Sequence, residues 1–289
     1  METRKLYYEN CHQYTFAAQV TGCQETKGGY AITLDATAFY PEGGGQACDL
    51  GSLGSVKVLD VQEQGDTVIH LCDGPLPIGQ EFEGHIDEAR RFDLMQQHTG
   101  EHIVSGIVCA RYGYHNVGFH MGADAITIDF DGPIPADALA QIEAEANRAV
   151  WQNLPVRCWY PTAQELPSVN YRTKRALPWP VRIVEIPGVD QCACCGVHVA
   201  HTGEVGLIKL FSCVKFHQGV RIEMACGQRA YNYVNQIVEQ NRKISRLLSA
   251  KMPETAEAVE NLQKTYQEEK YRSVALEKAS RRASVSALV

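Results

Sequence analysis

Two histidines four positions apart are the first residues in this sequence whose types and spacing could do chemistry. His98 and His102 bracket the segment HTGEH, inside a proline-free stretch whose apolar residues recur close to helical spacing. On a helix, residues i and i+4 lie one above the other, so both imidazoles can reach one metal ion. The pair alone leaves three interpretations open: the zinc helix of a metalloprotease, a zinc site of another kind, and two ordinary histidines in a core.

A second cluster of metal-binding residue types favours a zinc site that differs from that of a metalloprotease. Within ten positions the chain carries Cys192, Cys194, Cys195, His198 and His201. Two histidines from a helix with a cysteine and a histidine from a loop would make a tetrahedral zinc set. The alternative, buried unligated cysteines and surface histidines, does not account for so many metal-binding residues within ten positions. The segment HTGEH also matches the inverted metallopeptidase pattern H-x-x-E-H, with Glu101 as the general base, but that pattern takes a downstream glutamate as its third ligand.

A run of glycines is the third stretch that could serve a site. Residues 39–51 read FYPEGGGQACDLG, with Gly43, Gly44 and Gly45 followed by Gln46. Glycine permits backbone geometry closed to other residues and lets a ligand or another segment approach closely. The amide of Gln46 offers both a donor and an acceptor. A plain turn remains the alternative for this triplet.

Composition predicts a globular cytoplasmic protein that does not associate with membranes. The net charge of −7 argues against a nonspecific nucleic-acid coat, so nucleic-acid contacts would come from local basic patches. Apolar runs fall short of the roughly 18–20 residues that span a bilayer, and the start METRKLYYENCHQY lacks the apolar core of a signal peptide. Eleven irregularly spaced cysteines make a poor disulfide framework and favour a reducing compartment with some thiols on metal.

The elements that must position these residues predict an α+β fold. Short apolar runs alternate with turn signals over residues 14–87, which indicates a small all-β, barrel-like unit. Helices are expected near residues 88–112 and 135–153, with strands at about 124–130, 181–186 and 204–226. The predicted domains are an N-terminal β domain with the glycine motif at 1–88, a zinc-containing α+β domain at 89–228 and a helical tail at 229–289.

The first helix of the tail carries a heptad-like seam, which predicts a homodimer through the tail. Its members follow each other at spacings of 4, 3, 4, 3 and 4: Ala230, Val234, Ile237, Asn241, Ile244 and Leu248. In such a seam the single polar residue, Asn241, would set the register at some cost in stability. Packing of this helix on its own domain is the alternative. The excess of basic residues in the tail would tolerate an RNA backbone.

These stretches together resemble one family, the AlaX-type alanyl-tRNA editing proteins, which are freestanding relatives of the editing domain of alanyl-tRNA synthetase. Residues 34–51 are similar to the glycine-rich motif of the family's N-terminal β domain, QHTGEHIVSG matches its H-x-x-x-H motif, and residues 194–198 match its C-x-x-x-H motif. Residues 117–132 and 219–230 are similar to further family segments. The paired histidine and cysteine motifs also occur in threonyl-tRNA synthetase editing domains. The glycine motif in addition to them favours the alanyl-tRNA editing family. Long members continue into a C-terminal globular domain, which is not expected here.

The resemblance implies hydrolysis, in trans and without ATP, of the ester that joins a wrong amino acid to alanine tRNA. The amino acid would be serine and also glycine, and the cofactor Zn²⁺. The implied ligands are His98, His102, Cys194 and His198, since only Cys194 lies four positions before that histidine. Cys192 and Cys195 depart from the pattern by flanking the expected ligand. Zinc would polarise the ester carbonyl or activate a bound water, and His120 is a further candidate for catalysis.

The remaining predicted contacts concern the substrate. Asn116 and His120 are candidates for recognising the serine hydroxyl, because a site that expects a hydroxyl can reject alanine by about 10⁴–10⁵. The segment 43–46 is predicted to lie against the site, and Arg90, Arg91 and Lys209 are candidate phosphate contacts. For each of these three, a solvated surface position is the alternative. Two other functions stay open: a non-catalytic, zinc-stabilised tRNA-binding module and an inverted metallopeptidase.

Overall fold

A computed structural model describes residues 2–135, 137–173 and 179–286 and confirms the predicted α+β class. Helices and several antiparallel sheets alternate along the chain. The chain forms two compact units, Met1–Tyr231 and Asn232–Val289. The division of the chain at residues 88 and 228 stays a prediction. Within the described residues, no helix combines the length and apolar character needed to cross a membrane.

The first part of the larger unit is a closed antiparallel barrel. Its region contains eight strands: β1 (Arg4–Lys5), β2 (Thr15–Thr26), β3 (Gly29–Leu34), β4 (Ala36–Thr37), β5 (Gly51–Leu53), β6 (Val56–Gln64), β7 (Thr67–Cys72) and β8 (Glu81–Ile86). Six of them close in the order β2-β3-β7-β6-β5-β8, while β1 pairs in parallel with β4. Alternate residues of a strand face the same side, so Phe16, Ala18 and Val20 of β2 point into the barrel core.

The second part of this unit places helices on two further sheets. Its elements are α1 (Glu88–Tyr112), β9 (Asn116–Met121), β10 (Ile126–Phe130), α2 (Ala138–Trp151), β11 (Arg157–Trp159), β12 (Ile183–Ile186), β13 (Asp190–Ala193), β14 (Ile208–Phe216) and β15 (Gly219–Cys226). One antiparallel sheet has the order β14-β15-β10-β9, and the other has the order β11-β12-β13. Their apolar faces and the two helices share one core.

Helix α1 carries the two histidines, and local signals define both of its ends. The carboxylate of Asp87 accepts a hydrogen bond from the backbone N–H of Arg90 at 3.0 Å, which caps the N-terminus. The helix ends before Gly113, whose φ of 72° lies in the left-handed region that favours glycine. Residues 94–108 are buried throughout, so His98 and His102 lie at the middle of a core helix rather than at its exposed end.

The tail consists of two helices, α3 (Gly227–Leu248) and α4 (Thr255–Ser286), and it corrects the role predicted for Asn241. The side-chain amide of Asn241 donates to the carbonyl of Met252 at 3.0 Å and accepts from the hydroxyl of Thr255 at 2.7 Å. Both ends of the amide are therefore engaged at the start of α4 in the same chain, instead of standing free to set the register of a second helix. Self-association of the tail stays a prediction.

Candidate metal centre

Four side chains converge on one point inside the larger unit. His98 and His102 come from α1, and Cys194 and His198 come from the loop that follows β13. One donor atom of each lies within 4.8 Å of the others. The ring centroid of His198 is 4.6 Å from each of the other two, and Cys194 Sγ is 3.4 Å from His98 Nε2. The four residues that the motifs singled out are thus the ones the fold brings together.

The Nδ1 nitrogen of each imidazole has a hydrogen-bonding partner on the side away from the centre. The three pairs are His98 Nδ1 with Gln46 Oε1 at 2.8 Å, His102 Nδ1 with Asp190 Oδ2 at 2.9 Å, and His198 Nδ1 with Thr99 Oγ1 at 3.2 Å. Such outer contacts fix the ring orientation and raise the basicity of metal-binding histidines. In this arrangement the Nε2 atoms are the ones left to meet at the centre.

The contacts of Gln46 also fix the protonation of His98. The same Gln46 atom lies 3.2 Å from the backbone N–H of Val197, which can only donate, so that atom is the amide oxygen. A carbonyl oxygen can only accept, and His98 Nδ1 must therefore carry the proton. In the neutral ring Nε2 then carries the lone pair, which is the form that binds a metal. Gln46 thus contacts the ligand set, and its role as a substrate contact stays a prediction.

A buried atom without a partner shows that the cluster fits a cation. His198 is 3% exposed, and its Nε2 has no hydrogen-bond partner among the described residues. Burial lowers the pKa of His198 to about 3, so the ring is neutral, and one of its two nitrogens carries a lone pair. Burial alone would raise the pKa of the Cys194 thiol, but His98 and His102 hold it well below its ordinary range. Three imidazole nitrogens and a thiolate are the donor set of a tetrahedral zinc site.

Two side chains that the sequence analysis missed hold the cysteine loop in place. Arg182 Nη1 donates to the carbonyls of Cys194 at 3.0 Å and Gly196 at 2.8 Å, and the hydroxyl of Tyr8 donates to the carbonyl of Cys195 at 2.7 Å. The guanidinium of Arg182 also lies 4.4 Å over the ring of Tyr8. A charged residue inside the apolar run VRIVEI was the available signal, since such a residue is rarely buried without partners.

The carboxylate behind His102 was missed for a similar reason. Asp190 binds His102 with one oxygen, and both of its oxygens accept from Arg172, at 2.6 and 2.8 Å. Burial acts to raise the pKa of Asp190, but hydrogen bonds from His102 and Arg172 hold it below its ordinary value. Asp190 therefore stays ionised and fixes the imidazole. Its partners lie 88 and 18 residues away along the chain, a relation that no local spacing reveals.

A cavity of about 450 Å³ opens beside the four donors. His98, His102 and Cys194 form part of its wall, together with Phe119, whose ring stacks on His98 with centroids 5.5 Å apart. Glu101 also lines it, with a side chain that is only 4% exposed and accepts from Ser105 Oγ at 2.6 Å. The site thus combines a donor set, an aromatic wall and a buried carboxylate in one concave space.

Some of the predicted substrate contacts line the cavity and others do not. Gly44 and Gly45 line the cavity, and Gly43 forms a bridge with Gln46 that closes the turn. Asn116 is buried and gives its amide to Glu101 and Ser105, so it stands behind the cavity wall. His120 is exposed on β9 and is not among the residues that line the cavity. Roles for these residues in binding or catalysis stay predictions.

Arg91 does not contact tRNA as predicted, because the fold buries it completely. Arg91 and Asp49 form an ion pair in which both side chains are 0% exposed, and Arg91 Nη1 also donates to the carbonyl of Cys11 at 3.1 Å. A guanidinium engaged in this way ties the barrel to α1 and offers no face to a phosphate. Arg90 donates to the carbonyl of Cys48, and Lys209 pairs with Glu143 at 2.7 Å while remaining 38% exposed, so both stay predicted contacts.

The glycine loop gives a first testable prediction. A Cβ placed on Gly45 would lie 2.7 Å from Phe119 Cδ1, and the φ of Gly45 is +84°. Gly45→Ala is therefore expected to displace Phe119 from the cavity wall and to reduce deacylation by about tenfold or more, with zinc content unchanged. Gly43→Ala is the matched control, because its Cβ would lie 3.3 Å from the Tyr40 hydroxyl and at least 3.9 Å from the next atoms. Activity measured on both purified variants checks this, and equal activity would mean that the loop is only a turn.

Comparisons with known proteins agree with this site. Residues 181–223, which include Cys194 and His198, match the Threonyl and Alanyl tRNA synthetase second additional domain. The chain is 33% identical to alanyl-tRNA editing protein Aarsd1-B of Xenopus laevis, over 89% of this chain and 63% of that protein. It is 37% identical to the alanine–tRNA ligase of Thermofilum pendens, over 86% of this chain and 29% of the ligase, and 31% identical to Aarsd1 of Danio rerio, over 84% and 60%.

The fold and these relatives place the chain among proteins related to the editing domain of alanine–tRNA ligases. The chain is a relative of the AlaX-type alanyl-tRNA editing proteins, as its motifs predict. It spans less than two thirds of the length of the curated relatives described above.

Proposed function

We propose that the protein is a trans-acting hydrolase that deacylates alanine tRNA carrying serine, and also glycine, at a zinc site. The observation that carries this proposal is the convergence of His98, His102, Cys194 and His198 beside a cavity, with the buried Nε2 of His198 left unpartnered among the described residues. The cavity is large enough for an aminoacyl ester with part of the terminal nucleoside.

Different residues of the chain would bind the metal, orient its ligands and shape the cavity. The four converging side chains would hold Zn²⁺, which when bound supplies Lewis-acid chemistry that polarises an ester carbonyl. Gln46 and Asp190 keep the imidazoles of His98 and His102 in the orientation that points Nε2 at the centre. Phe119 and the glycine loop shape the wall on which the terminal nucleoside would rest. The chain thus supplies binding and orientation around the ester.

Glu101 is the residue that would distinguish serine from alanine. One of its oxygens accepts hydrogen bonds from Ser105 and Asn116, and the residue lines the cavity. A serine hydroxyl can donate to this carboxylate, whereas alanine would leave a buried charge with one bond fewer. Correctly charged alanyl-tRNA would then be spared. Asn116 would act through Glu101 as a positioning residue, which is a narrower role than direct contact with serine.

One observation favours a second candidate, a zinc-stabilised tRNA-binding module without catalysis. Four protein donors describe a closed, structural zinc, whereas catalytic zinc keeps an open position. The adjoining cavity and its buried carboxylate support hydrolysis instead. An inverted metallopeptidase receives less support, because the cluster found in the described residues takes Cys194 and His198 rather than a glutamate as its further members.

Deacylation of seryl-tRNA(Ala) by the purified protein tests the proposed function. Wild type is expected to release serine faster than alanine, and His98→Ala to lose both zinc and turnover by more than about 100-fold, since changes outside the ligand shell already cost 10–100-fold. His85→Ala, a change at an exposed histidine of the barrel, should keep both. Tight tRNA binding without turnover by wild type would favour the binding module. We also propose tRNA as the partner, a cytoplasmic location and self-association through the tail.

A further inference from the structure

A second cavity adjoins the one at the metal centre, and Val117 of β9 lines both. We call it the hairpin cavity, because Phe216, His217 and Gln218 at the turn between β14 and β15 form its outer wall. Its volume is about 560 Å³. Val117 is 63% exposed, so an apolar surface connects the two cavities. A ligand that passes over Val117 would reach both cavities.

The wall of the hairpin cavity is an edge-to-face pair of aromatic rings, and an arginine stacks on one of them. The rings of Phe216 and His217 have centroids 4.3 Å apart at 71°, and the guanidinium of Arg221 lies 3.8 Å from the Phe216 centroid. Two hydrogen bonds from Arg221 to Asp129, at 2.6 and 2.8 Å, hold that guanidinium in place. The stack is therefore rigid before anything binds to it, which lowers the entropy lost on binding.

His217 occupies a backbone position that is unfavourable for its type. Its φ of 51° lies in the left-handed region, which costs free energy for residues other than glycine. Glycine would close this turn more easily, yet the position carries an exposed ring at the tip of the hairpin. Strained backbone of this kind concentrates at ligand-binding positions. The ring of His217 is thus a group that the hairpin presents outward.

We propose that the hairpin cavity is a stacking subsite for the unpaired nucleotide that precedes the terminal nucleotide of tRNA. This rests on the proposed function, which places the terminal nucleoside in the first cavity. Aromatic side chains with a neighbouring arginine bind single strands by stacking, because every base has a π face. In the sheet order β14-β15-β10-β9, the hairpin strand lies three spacings from β9, or about 14 Å. A short single strand covers that distance.

The charges around the cavity select a base rather than a phosphate as its occupant. Asp129 and Asp131 both line it; Arg221 neutralises the first, while the second accepts a hydrogen bond from the backbone N–H of His115 at 2.8 Å. A wall with carboxylates repels a phosphate inside the cavity, whereas an uncharged base is not repelled by these charges. The phosphates of the strand would face outward, where Lys215 is exposed.

The test compares two substrates that differ only in the preceding nucleotides, seryl-tRNA(Ala) and seryl-adenosine. His217→Gly removes the ring and relieves the left-handed strain, so the variant is expected to fold at least as well as wild type. We expect its KM for seryl-tRNA to rise about fivefold or more with kcat unchanged. Its kinetics on seryl-adenosine should equal those of wild type. Phe216→Leu, which keeps the apolar volume but not the aromatic face, should behave in the same way, and His85→Ala should change neither substrate.

Two outcomes would overturn the subsite: unchanged KM for seryl-tRNA in both hairpin variants, or an equal loss on both substrates. Failure of the proposed function is distinguishable, because wild type would then hydrolyse neither ester. In that case, the fluorescence anisotropy of a labelled CCA trinucleotide still tests the subsite, because it measures binding without hydrolysis. Tighter binding of the trinucleotide by wild type than by His217→Gly supports the subsite, and equal binding rejects it.

Discussion

Cys194→Ala should lose zinc and deacylation together, whereas Cys192→Ala and Cys195→Ala should retain most of both. Only Cys194 contributes its sulfur to the group that also contains His98, His102 and His198. The zinc affinity of Cys194→Ala is expected to fall by more than about 100-fold, because changes that only touch the outer contacts of a ligand already cost 10–100-fold. Zinc stoichiometry and seryl-tRNA hydrolysis on the three variants measure this.

The two neighbouring cysteines point elsewhere for reasons visible in the loop. Cys192 lies on β13 with its sulfur near His102 and Asp190, and burial raises the pKa of its thiol to about 11, so it remains protonated. The sulfur of Cys195 faces the glycine loop, 3.0 Å from where a Cβ on Gly44 would lie. Neither thiol belongs to the group of His98, His102, Cys194 and His198, so truncating either one leaves those four donors in place. Zinc loss from Cys195→Ala together with its retention in Cys194→Ala would show that the ligand is misassigned.

The sequence motifs could predict the metal donors because each pair is local. His98 and His102 share a helix face, and Cys194 and His198 share a short loop, so spacing alone limits what can converge. The class of fold followed from periodicity in the same way. The acceptors behind the histidines could not be found, since Gln46 lies 52 positions from His98 and Asp190 lies 88 positions from His102. Contacts of that kind exist only after the barrel and the sheets have packed.

Charge was the least reliable guide in the sequence. Arg90 and Arg91 are adjacent and precede the histidine helix, and both were predicted to face tRNA phosphates. The difference between them arises from the helix itself, which turns Arg91 inward to Asp49 of the barrel segment and leaves Arg90 partly exposed. A buried arginine requires a carboxylate and carbonyl partners supplied by distant residues. Only the folded arrangement of Asp49 and Cys11 distinguishes it from a surface position.

Gly196→Ala should disrupt the metal centre as severely as the loss of a ligand, although Gly196 provides no donor side chain. A Cβ on Gly196 would lie 2.1 Å from Cε1 and 2.3 Å from Nδ1 of His98, far closer than non-bonded atoms approach. The loop cannot easily move away, because Arg182 holds the Gly196 carbonyl and the N–H of Gly196 donates to Cys194 Sγ at 3.3 Å. The imidazole of His98 must therefore shift, which breaks its hydrogen bond to Gln46.

The expected result for Gly196→Ala is a folded protein with little zinc and little activity. Overpacking a single site costs about 1–3 kcal/mol of stability, which a domain of this size can lose without unfolding. A displacement of about 1 Å at a reacting centre costs about 100-fold in rate. Circular dichroism, zinc content and seryl-tRNA hydrolysis measure these three quantities on Gly196→Ala beside Gly43→Ala. Full zinc content and activity in Gly196→Ala would mean that the imidazole of His98 does not lie against Gly196 or is not needed for zinc binding.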